Sequence, residues 1–391
     1  MSLYSAQHLQ RLRVIVTGGG TGGHTYPALT TITTLQTRLA ESGTEPEILW
    51  VGIREGIEAK IAQREGIPFR AIITGKLRRS PNPRELARNF VDAFRIPFGV
   101  LQAIATVART RPSVVLSTGG YVSVPIGLAA RMFGVPYVLH EQTLELGLAN
   151  RILAWAATRI LLSHQSSLDH LSPKARARAV VTGNPIRAAV LAGQPTRGLA
   201  AFGLDTALPL LLVMGGSGGA RQVNQMLTGA LPELLTQCQV VHQCGGMDIA
   251  EMQQVAAGLP GHLADRYRVV DFIYDELPDL FAAAQVVVSR SGAGTVAELT
   301  ALGKACILVP YPWAAGDEQR ATARHLAQQG AAIMLEGDEV TPQRLADTVR
   351  EIFADEPRRA AMSAAAASHG KPDAADRVVA ELLSAAARQK S

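Results

Sequence analysis

The sequence has few cysteines, few aromatic residues and no apolar run long enough to span a membrane. Three cysteines and 5% aromatic residues occur among 391 positions, and no uninterrupted apolar run reaches the ~18–20 residues of a transmembrane helix. Cys238, Cys244 and Cys306 lie among apolar neighbours at no metal-like spacing, which predicts buried thiols in a reducing compartment. Residues 1–13 have no apolar core, so no signal peptide is expected.

Motifs of several common enzyme classes are also missing. No Asp-x-Asp pair is present to clamp a metal–diphosphate, and neither the Walker pattern nor His-Glu-x-x-His occurs. The composition that remains, 47% hydrophobic and 18% charged with 36 glycines, is typical of a compact α/β protein. A chain of 391 residues is long enough for two domains with separate cores.

The sequence begins with an apolar segment that runs into glycines and a histidine. Val14-Ile15-Val16 is followed by TGGGTGGH at 17–24 and then by apolar residues at helical spacing up to Ala40. This order predicts a strand, a turn sized for a phosphate, and a helix over 25–40 with Pro27 in its first turn. N–H groups that open a helix favour an anionic oxygen. His24, at the mouth of the turn, is placed to take a proton.

The same turn matches the dinucleotide-binding fingerprint G-x-G-x-x-G at Gly18, Gly20 and Gly23. A dehydrogenase is therefore one alternative. A dinucleotide fold requires an acidic residue at the end of the second strand, which is predicted over 48–51. Gly52-Ile53-Arg54 follows that strand instead, and this weakens the dehydrogenase interpretation.

Polar and glycine-rich clusters end two further predicted strands of the first half. The strand at 114–117 leads into Thr118-Gly119-Gly120-Tyr121 and a helix over 124–131, and the strand at 137–142 ends in His140-Glu141-Gln142. The carboxyl ends of parallel strands meet at one edge of a sheet, so these clusters predict a functional crevice there. A purely structural role for His140 stays open.

The second half repeats the opening pattern. A strand at 210–214 runs into Gly215–Ala220, and further strands are predicted over 239–242, 268–272, 286–289 and 305–309. A turn at 290–292 opens a helix that carries Glu298, either as a partner of the helix dipole or as an acceptor for ribose hydroxyls. Helices are predicted from 316 and over 375–387. The irregular stretch 192–208 indicates a nearby domain boundary.

A basic segment from Lys76 to Phe98 interleaves charged and apolar residues. Six basic residues face two acidic ones, a net charge of +4. Three interpretations stay open: a solvated helix with an internal apolar stripe, a patch that rests on an anionic membrane surface, and a nucleic-acid surface, for which no known module is visible.

Seven ordered motifs resemble the MurG family of UDP-N-acetylglucosamine transferases, which make lipid II from lipid I in peptidoglycan synthesis. They are GGGTGGHTYP (18–27), STGGYVSVP (117–125), HEQTLELGLANR (140–151), GNPIR (183–187), GGSGGARQVNQ (215–225), RSGAGTVAE (290–298) and DEQ (317–319). The resemblance covers nearly the whole chain. It implies an α/β GT-B fold, in which two Rossmann-like parallel-sheet domains face each other across a cleft and the C-terminal helix crosses back to the first domain.

The resemblance also implies a division of roles. Residues 1–184, with 368–391 packing back, form the acceptor and membrane-facing domain, and residues 185–367 form the UDP-GlcNAc domain. His24 is the general base, and the acceptor site contains Tyr121, His140 and Glu141. Glu298 takes the ribose, and the Ile273 backbone takes the uracil edge. The donor-binding residues are Thr21, Gly22, Gly23, Thr143, Arg187, Ser217, Gly218, Asn224, Phe272, Ile273, Ala293, Gly294, Thr295, Val296, Ala297, Glu298 and Gln319.

No cofactor or bound metal is implied, and stimulation by a free divalent cation stays open. The expected partners are UDP-GlcNAc, lipid I, the anionic inner-membrane surface through Lys76–Phe98, and cell-wall synthesis and division proteins, with no nucleic acid. The expected location is the cytoplasmic face of the bacterial plasma membrane. A GT-B enzyme that acts on another lipid, such as diacylglycerol, and a non-catalytic scaffold are the remaining alternatives.

Four residues depart from the family pattern near the expected substrates: Val124 replaces a glycine, Thr143 an asparagine, Gly218 a glutamine and Arg320 a glutamine. Thr143 exchanges an amide for a single hydroxyl donor. These changes predict altered rate or acceptor preference while the glycines, His24, Arg187 and Glu298 are retained.

Overall fold

The computed structural model describes residues 12–75, 83–216 and 218–388, with the side chains of 83–93 and 315 outside the description. The chain divides into two compact units. The N-terminal unit consists of Met1–Pro185 and Asp373–Ser391, and the C-terminal unit of Ile186–Pro372. The stretch 192–208, expected to be irregular, contains the helix Pro195–Ala201, which packs against helix Leu277–Ala283.

The N-terminal unit is built on a seven-stranded parallel sheet in the order β3-β2-β1-β4-β5-β6-β7. Its central strands are buried on both faces, because they consist of β-branched and other apolar residues. The strands are β1 (Arg13–Thr17), β2 (Glu47–Gly52), β3 (Phe69–Ala71), β4 (Val114–Ser117), β5 (Tyr137–Glu141), β6 (Arg159–Leu162) and β7 (Ala179–Val181).

Helices cover both faces of this sheet. Their bounds are Gly22–Ala40, Ile57–Arg64, Pro83–Thr110, Ser123–Met132, Leu148–Leu153, Pro173–Arg176 and Ala374–Arg388, with a 3₁₀ helix at Gln165–His170. Helix Ala374–Arg388 packs against helix Gly22–Ala40 and places Val378 and Leu382 in the same apolar cluster as Val14 and Ile32. The C-terminal helix therefore completes the core of the N-terminal unit, as predicted.

The C-terminal unit has a six-stranded parallel sheet in the order β10-β9-β8-β11-β12-β13. Its strands are β8 (Leu210–Met214), β9 (Gln239–Gln243), β10 (Tyr267–Val270), β11 (Val286–Ser289), β12 (Cys306–Leu308) and β13 (Ile333–Met334). Its helices are Ala188–Leu191, Pro195–Ala201, Arg221–Leu234, Ile249–Ala257, Gly261–Ala264, Leu277–Ala283, Ala293–Ala301, Glu318–Gln328, Pro342–Ala354 and Glu356–His369, with 3₁₀ helices at Ala315–Asp317 and Gly337–Glu339.

Both sheets reverse their strand order next to their first strand, as Rossmann folds do. The reversal lies between β1 and β4 in one unit and between β8 and β11 in the other. Ligands of open α/β sheets bind at the carboxyl ends of the strands beside such a reversal. The predicted fold class, two Rossmann-like parallel-sheet domains, is confirmed, and the glycine turns at 18–20, 118–120, 215–219 and 290–292 flank these two points.

The first helix begins earlier than predicted. It starts at Gly22 rather than at residue 25, so His24 lies inside its first turn and Pro27 in its second. Pro27 therefore lacks the N–H that would bond to the carbonyl of Gly23. Gly22 and Gly23, which have no Cβ, can adopt the backbone conformation of this first turn. Sequence periodicity does not reveal that the helix begins here, because glycines carry no apolar signal.

The basic segment is described only in part. Residues 76–82 and the side chains of 83–93, with Lys76, Arg78, Arg79, Arg84 and Arg88, lie outside the described residues. Beyond them the helix Pro83–Thr110 exposes large apolar side chains at 94, 96, 98 and 101. Among the described residues, no helix has the length and apolar character needed to cross a membrane. All three cysteines are free and buried, as predicted.

Candidate active site

The turn after β1 is held by a carboxylate from the neighbouring helix. Glu58, fully buried in helix Ile57–Arg64, accepts hydrogen bonds from the N–H groups of Gly20 (3.1 Å) and Ile53 (3.0 Å). A Cβ added at Gly19 would lie 2.3 Å from the Glu58 carboxyl carbon. This side chain occupies the N–H that a dinucleotide phosphate would use, which argues further against the dehydrogenase interpretation.

His24 is fixed by the two glycine turns of the N-terminal unit. Its Nδ1 lies 2.8 Å from the carbonyl oxygen of Thr118 and 2.9 Å from Oε1 of Gln142. The Thr118 hydroxyl donates in return to the His24 carbonyl (2.8 Å). The ring also rests against Gly119 (φ +96°), where a Cβ would lie 3.1 Å from Cε1. Because a backbone carbonyl only accepts, Nδ1 carries the hydrogen and Nε2 is left as a base.

Four other predicted residues of this unit lie close to the glycine turn after β1, and three of them directly precede His24 in sequence. Thr21 caps the helix, with its carbonyl accepting from Thr25 Oγ1 (2.8 Å), and Gly22 and Gly23 form the first turn. The ring of Tyr121 lies beside the turn, since a Cβ at Gly20 would approach it to 3.4 Å. The structure therefore brings Thr21, Gly22, Gly23 and Tyr121 to the same turn.

Glu141, predicted to bind the acceptor, is used inside the fold. Its buried carboxylate accepts four hydrogen bonds, from the N–H and hydroxyl of Thr143, the N–H of Gly147 and the amide of Asn150, at 2.8–3.1 Å. The Thr143 hydroxyl also lies 2.7 Å from the carbonyl of Glu145. These contacts make Glu141 and Thr143 the framework of the turn that follows β5.

His140 and Gln142 form a buried pair next to His24. The Nε2 of His140 lies 2.9 Å from the carbonyl of Gly183, and its Nδ1 lies 2.9 Å from Nε2 of Gln142. Both side chains are almost fully buried. Burial lowers the pKa of His140, with the nearby Glu141 acting in the opposite direction. His140 is therefore a neutral internal group.

The glycine turn after β8, in the C-terminal unit, has open space beside two of its glycines. Gly219 (φ +78°) is pressed against the backbone, and a Cβ there would lie 2.4 Å from the Cys244 carbonyl. A Cβ at Gly216 or Gly218 would meet nothing within 4 Å. Open space in front of N–H groups at the start of helix Arg221–Leu234 suits a diphosphate. The predicted Ser217 lies outside the described residues.

Asn224, predicted to bind the donor, is buried in a closed network. Its amide donates to the Cys244 carbonyl (2.9 Å) and to Asp248 (2.7 Å), and its Oδ1 lies 3.0 Å from Nε2 of His242. Burial lowers the pKa of His242 to about 3, so this ring is neutral. Asn224 thus braces the glycine turn from behind.

The turn after β11 presents Glu298 to Arg187. Helix Ala293–Ala301 carries the predicted residues 293–298, and Gly294 faces open space, whereas Val296 is buried in the core. The Glu298 carboxylate lies 3.8 Å from the Arg187 guanidinium. Burial raises the pKa of Glu298 to about 7, although Arg187 opposes the shift. The pair provides a cation and an acceptor at one place.

Three more predicted residues of this unit are Phe272 and Ile273, which follow β10, and Gln319, near the start of helix Glu318–Gln328. Ile273 is buried and its N–H donates to Oε1 of Gln243 (3.1 Å). The ring of Phe272 packs against that of Tyr274 with centroids 4.7 Å apart and planes tilted by 59°. Gln319 accepts from the Tyr311 N–H (3.0 Å) through its side chain and from Ser291 (2.8 Å) through its carbonyl. Gln319 therefore links two turns of this unit.

The residues that depart from the family pattern have separate explanations. Arg320 forms ion pairs with Asp317 (3.1 Å) and Glu336 (2.7 Å), so its charge is satisfied within the unit. Gly218 simply leaves space. Val124 is half-buried on helix Ser123–Met132.

Two residues that help to form the site, Glu58 and Gln243, were not predicted from the sequence. Gln243 donates to the Gly216 carbonyl (3.0 Å) and accepts from Ile273, so it holds the glycine turn and the next strand end together. Its position at the end of β9 was the available signal for Gln243. No cluster of three or more His, Cys, Asp or Glu side chains suited to a metal occurs in the described part of the chain.

Two Rossmann-like domains with glycine turns at their strand ends are the architecture of a class of glycosyltransferases, and the family models place the chain in that class. Family models agree with this class: the model described as the glycosyltransferase family 28 N-terminal domain matches residues 14–162, and that of the family 28 C-terminal domain matches residues 210–378.

Relatives narrow the class to one family. The UDP-N-acetylglucosamine–N-acetylmuramyl-(pentapeptide) pyrophosphoryl-undecaprenol N-acetylglucosamine transferase of Syntrophotalea carbinolica is 37% identical over 382 residues, covering 94% of this chain and 97% of the relative. The Listeria monocytogenes enzyme of the same name is 37% identical over 375 residues, covering 95% and 99%. The crystal structure of Acinetobacter baumannii MurG superimposes with a TM-score of 0.73 at 26% identity, covering 95% of this chain and 99% of that one. The chain belongs to the MurG family of N-acetylglucosamine transferases.

Proposed function

We propose that this chain transfers N-acetylglucosamine from UDP-GlcNAc to the C4 hydroxyl of the muramyl sugar of lipid I, forming lipid II and UDP. The names of its relatives specify this type of transfer. The observation that carries the proposal is the His24 imidazole, whose hydrogen is directed at the Thr118 carbonyl and whose Nε2 is left as a base. No observation favours diacylglycerol as the acceptor.

The reaction is a single inverting displacement. The acceptor oxygen forms a bond to the anomeric carbon of GlcNAc while the bond from that carbon to the diphosphate breaks, and UDP leaves from the opposite face. The hydroxyl proton passes to Nε2 of His24. General-base catalysis of this kind contributes about 10²–10⁴ in rate.

The C-terminal unit is proposed to hold the donor. Arg187 and the N–H groups of the turn at 215–219 face the negative diphosphate, and a preorganised donor at a leaving group contributes about 10²–10³ in rate. Glu298 accepts the ribose hydroxyls. These groups are proposed to neutralise the departing UDP without a resident metal, and a free divalent cation could add to them.

The acceptor is a lipid, so the enzyme has to reach a membrane face. We assign this contact to the segment Lys76–Phe98, by its sequence, together with the exposed apolar side chains Phe94, Phe98 and Leu101 of helix Pro83–Thr110. The proposed location is the cytoplasmic face of the bacterial plasma membrane, where cell-wall synthesis and division proteins are further partners. Tyr121 is proposed to contact the acceptor, with His140 and Glu141 shaping the turn around it.

Replacement of the base tests the function. In an assay with radiolabelled UDP-GlcNAc and a lipid I analogue, His24→Ala is expected to lower kcat by about 10²–10⁴, because the attacking hydroxyl loses its proton acceptor. The KM for UDP-GlcNAc is expected to change little. Gln36→Ala, an exposed position on the same helix, is the matched control and should behave as the wild type.

Near-normal turnover by His24→Ala would remove His24 from this role. Transfer to diacylglycerol in place of the lipid I analogue would replace the proposed acceptor.

A further inference from the structure

A continuous chain of hydrogen bonds joins His24 to the far side of the turn after β5. It runs from His24 Nδ1 to Oε1 of Gln142 (2.9 Å), from Nε2 of Gln142 to Nδ1 of His140 (2.9 Å), and from Nε2 of His140 to the Gly183 carbonyl (2.9 Å). All three side chains belong to the N-terminal unit. Gln142 is its central link and has no other assigned role.

The chain has a direction that is set by its ends. The Gly183 carbonyl can only accept, so Nε2 of His140 carries a hydrogen and Nδ1 of the neutral ring accepts. That acceptor takes a hydrogen from the Gln142 amide, which fixes the amide with its oxygen toward His24. The hydrogen of His24 then lies on Nδ1, where the Thr118 carbonyl (2.8 Å) also requires it.

The alternative arrangement would disable the base. A flipped Gln142 amide would present its NH₂ group to Nδ1 of His24 and favour the tautomer with hydrogen on Nε2. The Thr118 carbonyl would then face an unprotonated Nδ1, and the nitrogen left for the acceptor hydroxyl would already be occupied. The orientation of one amide therefore decides which ring nitrogen is basic.

We propose that Gln142 is a positioning residue for the general base: oriented by His140 and the Gly183 carbonyl, it holds His24 in the tautomer whose Nε2 takes the acceptor proton. The inference rests on the proposed function, since it presupposes that His24 is the base. His140 supports it by staying neutral, and Glu141 and His24 are the titratable neighbours that act on it.

Two substitutions of Gln142 test the proposal through the pH profile of kcat at saturating UDP-GlcNAc, from about pH 5.5 to about pH 9. Gln142→Met removes the acceptor at similar size, so the His24 imidazolium is less stable and the acid limb moves to lower pH. Gln142→Glu places a carboxylate beside Nδ1 and moves the limb to higher pH by about one unit or more. The expected kcat of Gln142→Met is roughly tenfold lower, about the effect of one hydrogen bond to a charged group.

The matched control is Gln243→Met, which removes another buried glutamine with a hydrogen bond at each end of its amide. Gln243 lies in the C-terminal unit. The acid limb of the kcat profile of Gln243→Met is therefore expected at the wild-type pH, whatever the turnover of this variant. Melting temperatures of all variants establish that the fold is retained. Acid limbs that stay at the wild-type pH in both Gln142 variants would overturn the positioning role.

The tautomer gives a readout that does not require activity. Nitrogen NMR of isotope-labelled histidine, with the His24 signals assigned from His24→Ala, is expected to show hydrogen on Nδ1 in the wild type and a mixture in Gln142→Met. An unchanged tautomer in Gln142→Met would contradict the proposal. An active His24→Ala enzyme would instead contradict the proposed function, so the two failures are distinguishable.

Discussion

A buried carboxyl group at the proposed donor site has a pKa close to neutral pH. Glu298 lies 3.8 Å from Arg187, yet burial outweighs the guanidinium and raises its pKa to about 7. Only the ionised form accepts both hydroxyls of a ribose without a competing O–H of its own. We therefore expect the binding of UDP-GlcNAc to be coupled to the protonation of Glu298.

We expect UDP-GlcNAc to bind about tenfold more weakly at about pH 6 than at about pH 8, because protonation of Glu298 must be reversed on binding. The sign follows from a raised pKa: the carboxylate is lost as the pH falls through about 7. Isothermal titration with UDP-GlcNAc measures the change, and this ligand has no phosphate monoester that titrates in the range.

Glu298→Gln is expected to bind weakly with a flat pH dependence. Glu356→Gln, an exposed position whose carboxylate faces Arg359, should keep the tenfold change. A steep profile that survives in Glu298→Gln would assign the titration to another group.

Candidate site residues were predicted best where a local sequence pattern marks them. His24 follows a glycine run, and Glu298 lies in a helix that follows a small-residue turn. The structure places His24 in the first turn of helix Gly22–Ala40 and Glu298 in the second turn of helix Ala293–Ala301. Glu58 was missed because its importance lies in the partner it meets, Gly20. Gln142 was predicted only as a member of the strand-end cluster at 140–142, without its two histidine partners. Such long-range pairing leaves no local pattern.

At the level of elements, the turn after β8 combines two glycines with opposite requirements. Gly219 has φ +78° and lies 2.4 Å, measured from an added Cβ, from the Cys244 carbonyl. Gly218 has neither constraint. The first glycine is needed by the fold, whereas the second leaves room in front of the turn.

Gly219→Ala is expected to destabilise the C-terminal unit by roughly 1–3 kcal/mol or more, since a strained backbone and a clash occur together. Gly218→Ala, its matched control, is expected to stay within about 0.5 kcal/mol of the wild type. Thermal unfolding followed by circular dichroism measures both. Equal melting temperatures for the two variants would contradict this division.

Elements were predicted from the sequence where apolar runs are long and bounded by glycine. The strands at 14–16, 114–117 and 210–214 appear where expected. The missed strands are short or lie toward the sheet edge: β3 and β13 have three and two residues, and β6 begins with an arginine. Their pairing depends on neighbours already in the sheet, so sequence periodicity contains little of the information.

At the level of the whole molecule, the exposed apolar side chains of helix Pro83–Thr110 follow the basic residues of the segment Lys76–Phe98 in sequence. Phe94, Phe98 and Leu101 are each more than 60% exposed. Basic charge beside exposed aromatic and aliphatic groups is typical of proteins that rest on anionic lipid. Binding to such a surface should depend on both.

Vesicles of phosphatidylcholine with and without phosphatidylglycerol test this surface by sedimentation. Arg→Glu changes at 78, 79 and 88 are expected to weaken binding to the anionic vesicles roughly 100-fold, at about 1 kcal/mol for each basic residue lost. Met247→Glu, an exposed apolar position of the C-terminal unit, is the matched control. Equal binding to both vesicle types, or by the triple variant, would contradict the assignment.

The carboxylate of Glu58 inside the first glycine turn has a consequence for how this scaffold can be reprogrammed. The glycines of this turn suggest an open phosphate-binding loop, yet the carboxylate bound at the Gly20 N–H is that of Glu58 from the protein itself. To make this turn bind a nicotinamide cofactor, one would first have to replace Glu58. Adding glycines to the turn would have no effect while the Glu58 carboxylate remained there. A sequence can thus match the dinucleotide-binding fingerprint while a side chain of the same protein already occupies the position of the phosphate.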